Sequence, residues 1–235
     1  MYSKMKIPKI LILSVGGSII VPDNDDYVFL KNFKKLLQSL SKKYRIVIVC
    51  GGGRTARNYI QALEKEGISK YDQNIIGIYC TRLNALLLTS FLGANKEIPT
   101  NMKEFYQLLK KNKILVTGGG LEKFEIGSTS DGTTAVIARR LNTKMFINLT
   151  NVNGLYDRDP RKFRNAKLIR QISHEDFEKI MKRVKEKPGQ HFILDSLATR
   201  IILMEKIKAI ILNGHNLKNL ENFLQGKRFV GTVIG

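Results

Sequence analysis

The chain lacks several features that would direct its interpretation elsewhere. Its 235 residues include no tryptophan and only two cysteines, Cys50 and Cys80, too few for a disulfide framework. We interpret both as buried free thiols of a reducing compartment. No apolar run reaches the roughly 18–20 residues of a membrane span, and the first eight residues do not resemble a signal peptide. These absences favour a cytoplasmic globular protein with no membrane partner.

Acidic side chains are also scarce: the chain has 20 acidic and 40 basic residues, which gives a formal net charge of +20. Such an excess attracts polyanions, so a nucleic-acid partner has to be considered. The basic residues, however, are spread along the whole chain and fall mostly on predicted helix faces. No RNP-like, zinc-finger or helix-turn-helix pattern accompanies them. A lysine-rich solvated surface is therefore favoured over a nucleic-acid site.

Two common nucleotide-binding signatures are missing. There is no Gly-x4-Gly-Lys-Ser/Thr loop and no His-Arg-Asp or Asp-Phe-Gly set, which excludes P-loop and protein-kinase mechanisms. Gly51-x-Gly53-x-x-Ala56 does match a dinucleotide fingerprint, and Asp72 follows about 20 residues later. Asp72 does not close a second strand as a ribose-binding acid should, so a dehydrogenase is disfavoured.

What the chain does have is glycine at the ends of apolar, strand-like runs. The three clusters are Gly16-Gly17-Ser18 after Ile10–Val15, Gly51-Gly52-Gly53 after Ile46–Cys50, and Gly118-Gly119-Gly120 after Ile114–Thr117. In an open α/β sheet, ligands bind beyond the carboxyl ends of the strands. Glycine there lets backbone N–H groups approach an anion closely. Three such loops indicate a crevice for more than one phosphate, as a kinase requires.

Strand-like and helix-like segments alternate throughout, which predicts an α/β protein with a mainly parallel sheet covered on both faces. Further strands are predicted at 144–148, 209–212 and 232–234. Helices are predicted at about 27–43, 55–66, 74–92, 101–111, 131–141, 173–184, 194–206 and 217–224. We treat residues 1–235 as one domain, with an acceptor-binding half of about 1–141 and an ATP-binding half of about 142–235.

Small hydroxylated residues collect where one of these helices begins, in Gly127-Ser128-Thr129-Ser130-Asp131. Hydroxyls and free N–H groups at a helix start bind phosphate well. The alternative is that Ser130 or Asp131 only caps the helix. One cap does not account for so many hydroxyls, so we interpret the segment as a phosphate or nucleotide contact.

The segment 149–160 carries two turn signals, Asn153-Gly154 and Asp159-Pro160. A surface hairpin explains these residues as well as a functional role does. In the functional interpretation, Tyr156 flanks a base and Asp159 bonds a ribose or base edge.

Taken together, these motifs resemble the amino acid kinase superfamily, and most of all its archaeal-type uridylate (UMP) kinases. The resemblance rests on Val15-Gly-Gly-Ser18, Val49-Cys-Gly-Gly-Gly-Arg-Thr-Ala-Arg-Asn-Tyr59, Gly77-Ile-Tyr-Cys-Thr-Arg-Leu-Asn-Ala85, Ser128-Thr-Ser-Asp131, Thr150-Asn-Val-Asn-Gly-Leu-Tyr156, Asp159-Pro160, Leu194-Asp-Ser-Leu-Ala198 and Gly231-Thr-x-Ile234. They span nearly the whole chain in family order, and they are specific as a set.

The resemblance implies a three-layer αβα sandwich, a homo-hexamer, and Mg²⁺-dependent transfer of the ATP γ-phosphate to UMP. It implies roles for the following residues: ATP contacts from Gly17, Ser18, Gly53, Arg57, Thr150, Asn151, Tyr156 and Asp159; UMP contacts from Gly52, Asn74, Gly127, Ser128, Thr129, Ser130 and Asp131. We expect Gly17, Gly53, Arg57 and Asp131 to carry catalysis, with Arg57 between the two substrates and able to touch either phosphate. The three histidines show no ligand-like spacing, so no protein metal site is assigned.

Three positions and one loop depart from the family pattern: Asn153 stands where relatives usually have an aspartate, and the loop Gly120–Ile126 is longer and more polar than the usual short Pro-Gly link. Asn74 stands where relatives usually have an aspartate that holds the uridine, and Ser14 stands where many have a lysine. Two alternatives therefore stay open: another small-molecule kinase of this fold with an acidic or phosphorylated acceptor, and a non-catalytic nucleotide-binding protein.

Overall fold

Seven strands form a single sheet in the order β3-β2-β1-β4-β6-β7-β5. In this computed structural model, which describes residues 9–22, 28–122, 129–185 and 194–235, the strands are β1 Ile10–Val15, β2 Arg45–Cys50, β3 Ile114–Thr117, β4 Met145–Thr150, β5 Gln171–Ile172, β6 Lys208–Asn213 and β7 Thr232–Ile234. The first five in sheet order run parallel. Only β7 runs antiparallel to β6, and it pairs in parallel with β5. The predicted mainly parallel sheet is confirmed.

The central strands are apolar without interruption because both of their faces are covered. In β1 and β2, every residue after the first is buried. Alternate side chains enter two separate cores: Leu11 and Leu13 lie in one, and Ile12 lies in the other. Burying one such side chain stabilises the fold by about 1.5–3 kcal/mol.

Helices cover both faces, which confirms the three-layer sandwich. The helices are α1 Gly17–Ile20, α2 Val28–Leu40, α3 Gly53–Lys65, α4 Lys70–Leu92, α5 Met102–Lys111, α6 Ser130–Arg140, α7 His174–Lys185, α8 Ser196–Glu205 and α9 Leu217–Leu224. Helices α1, α2, α4 and α9 pack into one core, and α5, α6, α7 and α8 into the other. Cys50 and Cys80 are both buried free thiols, as predicted.

The long helix α4 has defined ends. Ser69 caps its start by accepting a hydrogen bond from the Asp72 N–H, and Gly93 ends it in the left-handed conformation at φ 68°. Among the described helices, α4 alone is long and apolar enough to cross a membrane by length and composition. One such helix is weak evidence for a span, and α4 packs against α3, β2 and β3. Asp72 therefore lies at a helix start, which removes the dinucleotide interpretation of Gly51–Ala56.

Two short elements were not predicted. Helix α1 has four residues, too few for a helical periodicity, and β5 has two. The sequence allowed two interpretations of the segment 149–160, a surface hairpin and a nucleotide contact. In the structure, Tyr156 in this segment forms an isolated antiparallel bridge with Leu168.

Candidate active site

The three glycine clusters meet at the carboxyl edge of the sheet. The N–H of Gly16 donates to the carbonyl of Leu149 and that of Gly51 to the carbonyl of Val15, each at 2.9 Å. These bonds carry the strand pairing one residue past the strands and fix the two loops side by side. The loops line a crevice of about 850 Å³, within the size range of small-molecule sites.

Gly17 and Gly53 touch each other in the floor of this crevice. A Cβ on Gly17 would lie 2.2 Å from the Gly53 nitrogen and 2.5 Å from the Gly51 carbonyl oxygen. Gly53 has φ +66°, a conformation that favours glycine. Each residue begins a helix, so its N–H has no partner within that helix. The approach of the two backbones therefore requires glycine at both positions, and it brings two amides without a partner in their own helices to one place.

The third glycine loop is held by α4. Thr81 Oγ1 accepts from the Gly119 N–H at 2.7 Å, and the Arg82 guanidinium donates to the carbonyls of Gly119 and Gly120 at 3.3 and 3.1 Å. Arg82 lies within the largely apolar helix α4, where its charge needs a partner. The glycine carbonyls give it a structural one.

The start of α6 places one carboxylate in the crevice. Thr129 caps the helix by accepting from the Asp131 N–H, and Ser14 Oγ donates to Asp131 Oδ1 at 2.9 Å. Burial of the carboxyl group raises the pKa of Asp131 from 3.8 to about 7, and the charge of Asp195 adds to the rise. The hydrogen bond from Ser14 acts against both. Ser14 therefore occupies the usual lysine position without supplying a charge.

Asp195, which the sequence reasoning did not assign, joins two helix starts. Its Oδ2 accepts from the N–H and hydroxyl of Thr129 at 2.6 and 2.7 Å and from the Gly132 N–H at 2.9 Å. Its Oδ1 accepts from the Ala198 N–H at 2.7 Å and caps α8. One carboxylate thus fixes the start of α6, and with it Asp131, against α8.

The raised pKa of Asp131 predicts a pH dependence of stability. Between about pH 4 and 7 the carboxyl ionises in the unfolded chain but stays protonated in the fold, so stability falls as pH rises and levels off above 7. We expect the free energy of unfolding of the native chain, measured in urea relative to Asp131→Asn, to fall between pH 5 and 7. Parallel curves for the two proteins would show that Asp131 ionises in the fold as it does in water.

Most of the predicted site residues lie together in the lining of the crevice. Those that line it are Gly17, Ser18, Gly52, Gly53, Arg57, Asn74, Thr129, Ser130, Asp131, Thr150 and Asn151. Gly127 and Ser128 lie outside the described residues. For all of the predicted site residues, the contacts with ATP and UMP stay predictions.

Tyr156 and Asp159 do not line the crevice. Tyr156 takes part in the bridge with Leu168, and both carboxylate oxygens of Asp159 accept from the Arg161 guanidinium, at 3.0 and 3.2 Å. The hydrogen bonds from Arg161 hold the pKa of Asp159 below its usual value. Arg161 itself reaches the crevice wall, so Asp159 orients a cation at the site.

Lys70 is a second cation that the sequence analysis missed. It lines the crevice near Asn74 and donates to Glu64 and Gln73 at 2.7 and 3.1 Å. Its position at the start of α4, four residues ahead of Asn74, is the signal that was available, because residues at this spacing share a helix face.

Comparisons with known proteins agree with this geometry. The model of the amino acid kinase family matches residues 9–213. The uridylate kinase of Thermoplasma volcanium is 39% identical over 95% of this chain and 96% of its own, and that of Methanobrevibacter smithii is 33% identical over 95% and 98%. The crystal structure of uridylate kinase from Archaeoglobus fulgidus matches with a TM-score of 0.82 and 33% identity over 97% of this chain and 100% of that one.

These matches confirm the resemblance to archaeal-type uridylate kinases that the motifs indicated. They extend over the same strands and glycine loops that form the crevice. The chain belongs to the amino acid kinase family.

Proposed function

We propose that the chain is a UMP kinase, which transfers the γ-phosphoryl group of ATP to UMP and forms UDP and ADP. The observation that carries the proposal is one continuous crevice lined by the glycine loops, by the cations Arg57 and Lys70 and by the carboxylate of Asp131. The names of the archaeal relatives supply the substrate. ATP is the donor that such kinases imply.

Phosphoryl transfer needs alignment and neutralised charge more than covalent chemistry. The amides of Gly17 and Gly53 cradle the transferring group, and Arg57 adds positive charge between the substrates. Thr150, the last residue of β4, and Asn151 lie on the ATP side, and Asn74 lies on the UMP side. The UMP phosphate is itself the nucleophile, so no general base is required.

Mg²⁺ fits this site only as a companion of the nucleotide. Among the described residues, no three His, Cys, Asp or Glu side chains cluster to hold an ion. Asp131 lies within the crevice, and magnesium in kinase sites is commonly bound by one or two carboxylates, water and substrate phosphates. A bound ion would supply positive charge against the phosphates, and Asp131 would hold it through water.

The activity is tested by ADP release with Mg²⁺-ATP and a panel of acceptors: UMP, CMP, dUMP, isopentenyl phosphate, acetylglutamate and aspartate. We expect strong preference for UMP. Turnover with only a different acceptor would change the assigned substrate and leave the proposed mechanism in place. ATP binding without turnover of any acceptor would contradict the proposal and favour a non-catalytic nucleotide-binding protein.

Asn74 is expected to hold the uridine part of the acceptor. We predict that Asn74→Ala raises KM for UMP about tenfold, the equivalent of one hydrogen bond, and leaves kcat and KM for ATP nearly unchanged. Steady-state kinetics with each substrate varied in turn measures this. Asn58→Ala, on the exposed face of α3, is the matched control. An unchanged KM for UMP would remove Asn74 from the acceptor site.

We also propose that the chain assembles with copies of itself, as a hexamer by the family resemblance, in the cytoplasm. The outer face of α4 presents an apolar stripe in which Tyr79 is 63%, Leu83 60%, Leu86 47% and Leu87 38% exposed. A contiguous apolar stripe of this kind marks an interaction surface. Since the inner face of α4 belongs to the core, the outer stripe is available to a second copy.

Replacing Leu83 by aspartate is therefore expected to reduce the molar mass in solution, because it buries an unpaired charge in the interface. Light scattering after size-exclusion chromatography measures the change. Met204→Asp introduces the same charge at a residue that is 71% exposed on α8 and should leave the mass unchanged. Equal masses for native chain and Leu83→Asp would exclude this stripe as an interface.

A further inference from the structure

The edge of the sheet opposite the crevice is strongly basic. Parallel strands bring their amino ends together there, and each is entered from a basic segment. Lys9 precedes β1, Lys42 and Lys43 precede β2, Arg45 begins β2, Lys110 and Lys111 end α5, Lys113 precedes β3, and Lys144 precedes β4. We name these eight residues the amino-edge patch. The strand pairing fixes them as neighbours, because the N–H of Arg45 bonds the Lys9 carbonyl and that of Ile46 bonds the Lys113 carbonyl.

No acid of these segments offsets the patch. Lys9, 41–45, 109–113 and 141–144 contain no Asp or Glu. The seven lysines are exposed, and only Arg45 is half-buried, with a hydrogen bond from its guanidinium to the Leu109 carbonyl at 2.9 Å. Within the described part of the chain, none of the eight side chains forms an ion pair. Further along the edge, Glu175 pairs with Lys206.

Part of this charge has a structural use. Helices α2 and α5 end at this edge, and cations near a helix C-terminus offset its partial negative charge. That requirement covers about half an elementary charge for each helix. Eight cations exceed it several-fold, so most of the positive charge of the patch faces solvent uncompensated.

We propose that the amino-edge patch binds the phosphate backbone of a double-stranded nucleic acid. The four strands β3, β2, β1 and β4 span roughly 14 Å at about 4.8 Å per neighbour. A duplex carries about eight negative charges over that length, and a single strand about half as many. The eight cations of the patch are enough for the phosphates that one face of such a duplex presents.

The chemistry of the patch also favours a duplex over a single strand. Proteins that bind single strands stack bases on aromatic side chains, whereas the only aromatic residue in these segments, Tyr44, is half-buried. Lysine ammonium groups contact phosphates without reading bases. The binding is therefore independent of sequence, strongly dependent on salt, and separate from catalysis at the opposite edge. The spread of charge along the sequence concealed this arrangement, since only strand pairing brings the segments together.

The experiment measures binding of a fluorescently labelled 20-base-pair duplex by anisotropy between 50 and 300 mM KCl. It compares the native chain with Lys43→Gln/Lys113→Gln/Lys144→Gln. The matched control, Lys31→Gln/Lys65→Gln/Lys103→Gln, removes the same charge from exposed lysines of α2, α3 and α5 outside the patch. UMP kinase activity of all three proteins verifies their folding, because none of the six lysines lines the crevice.

We expect the patch variant to bind at least about tenfold more weakly at 100 mM KCl, with the slope of log Kd against log salt reduced by about three, one for each lost phosphate contact. The control should change Kd less than about threefold. Equal weakening in both variants would overturn the proposal, since net charge alone would then explain binding. Absence of duplex binding at 50 mM KCl, or tighter binding of a single strand of the same length, would overturn it as well.

Discussion

Replacing Gly17 by alanine is expected to lower kcat/KM for UMP phosphorylation by at least about 100-fold. The new Cβ would lie 2.2 Å from the Gly53 nitrogen, more than 1 Å inside the 3.4 Å of an ordinary contact. Both neighbours are backbone, so the two loops must separate. A displacement of about 1 Å at a reacting centre costs on the order of 100-fold in rate. Steady-state kinetics with ATP and UMP measures the loss.

The control for this substitution is Gly67→Ala. A Cβ on Gly67 meets nothing within 4 Å, although the φ of Gly67, +69°, adds a backbone strain that Gly17 does not have. The control therefore lowers stability without a clash in the crevice, and its activity should stay near that of the native chain. Thermal unfolding followed by circular dichroism confirms that both variants fold. A folded Gly17→Ala variant with activity within about tenfold of native would contradict a catalytic role for the approach of the two glycines.

Replacing Arg57 by alanine is expected to lower kcat/KM by about two to three powers of ten, or roughly 3–4 kcal/mol of transition-state stabilisation. Arg57 lies one helical turn after Gly53 and lines the crevice. Its charge therefore lies in the same crevice as the amides that we propose receive the transferring group. Because this interaction is strongest in the transition state, kcat should fall together with kcat/KM.

Arg54→Ala removes a guanidinium from the same helix at an exposed position that does not line the crevice. We expect it to change kcat/KM less than about threefold. A loss below about tenfold in Arg57→Ala, roughly 1.4 kcal/mol, would remove Arg57 from catalysis. A rise in KM for UMP alone, with kcat unchanged, would assign the guanidinium to the acceptor phosphate in the ground state.

The fold was largely predictable because its strands and helices carry strong local patterns. The strands Ile10–Val15 and Ile114–Thr117 were predicted to the residue, since each is a short apolar run closed by glycine. Strand β5 was not, because its two residues owe their conformation to pairing with the distant β7. A local pattern holds no information about such a pairing.

The same difference between local patterns and long-range contacts decides which site residues were predicted. The glycine loops and the start of α6 were predicted because they follow strands or open a helix, positions with a known geometry in α/β sheets. Asp195 was not assigned because its bonds to Thr129 cross 66 residues of sequence. Arg161 was missed because only the fold shows that it binds Asp159 and lines the crevice, and the nucleotide contact of Asp159 stays a prediction.

The central claim is that one crevice aligns ATP and UMP end to end for direct transfer. Its most direct test is calorimetric titration with a bisubstrate analogue that joins adenosine and uridine through a chain of five phosphates. The account predicts one analogue per chain, tighter binding than either nucleotide shows alone, and complete displacement of both UMP and ATP. An analogue that displaces only one nucleotide, or binds no more tightly than ATP, would contradict it.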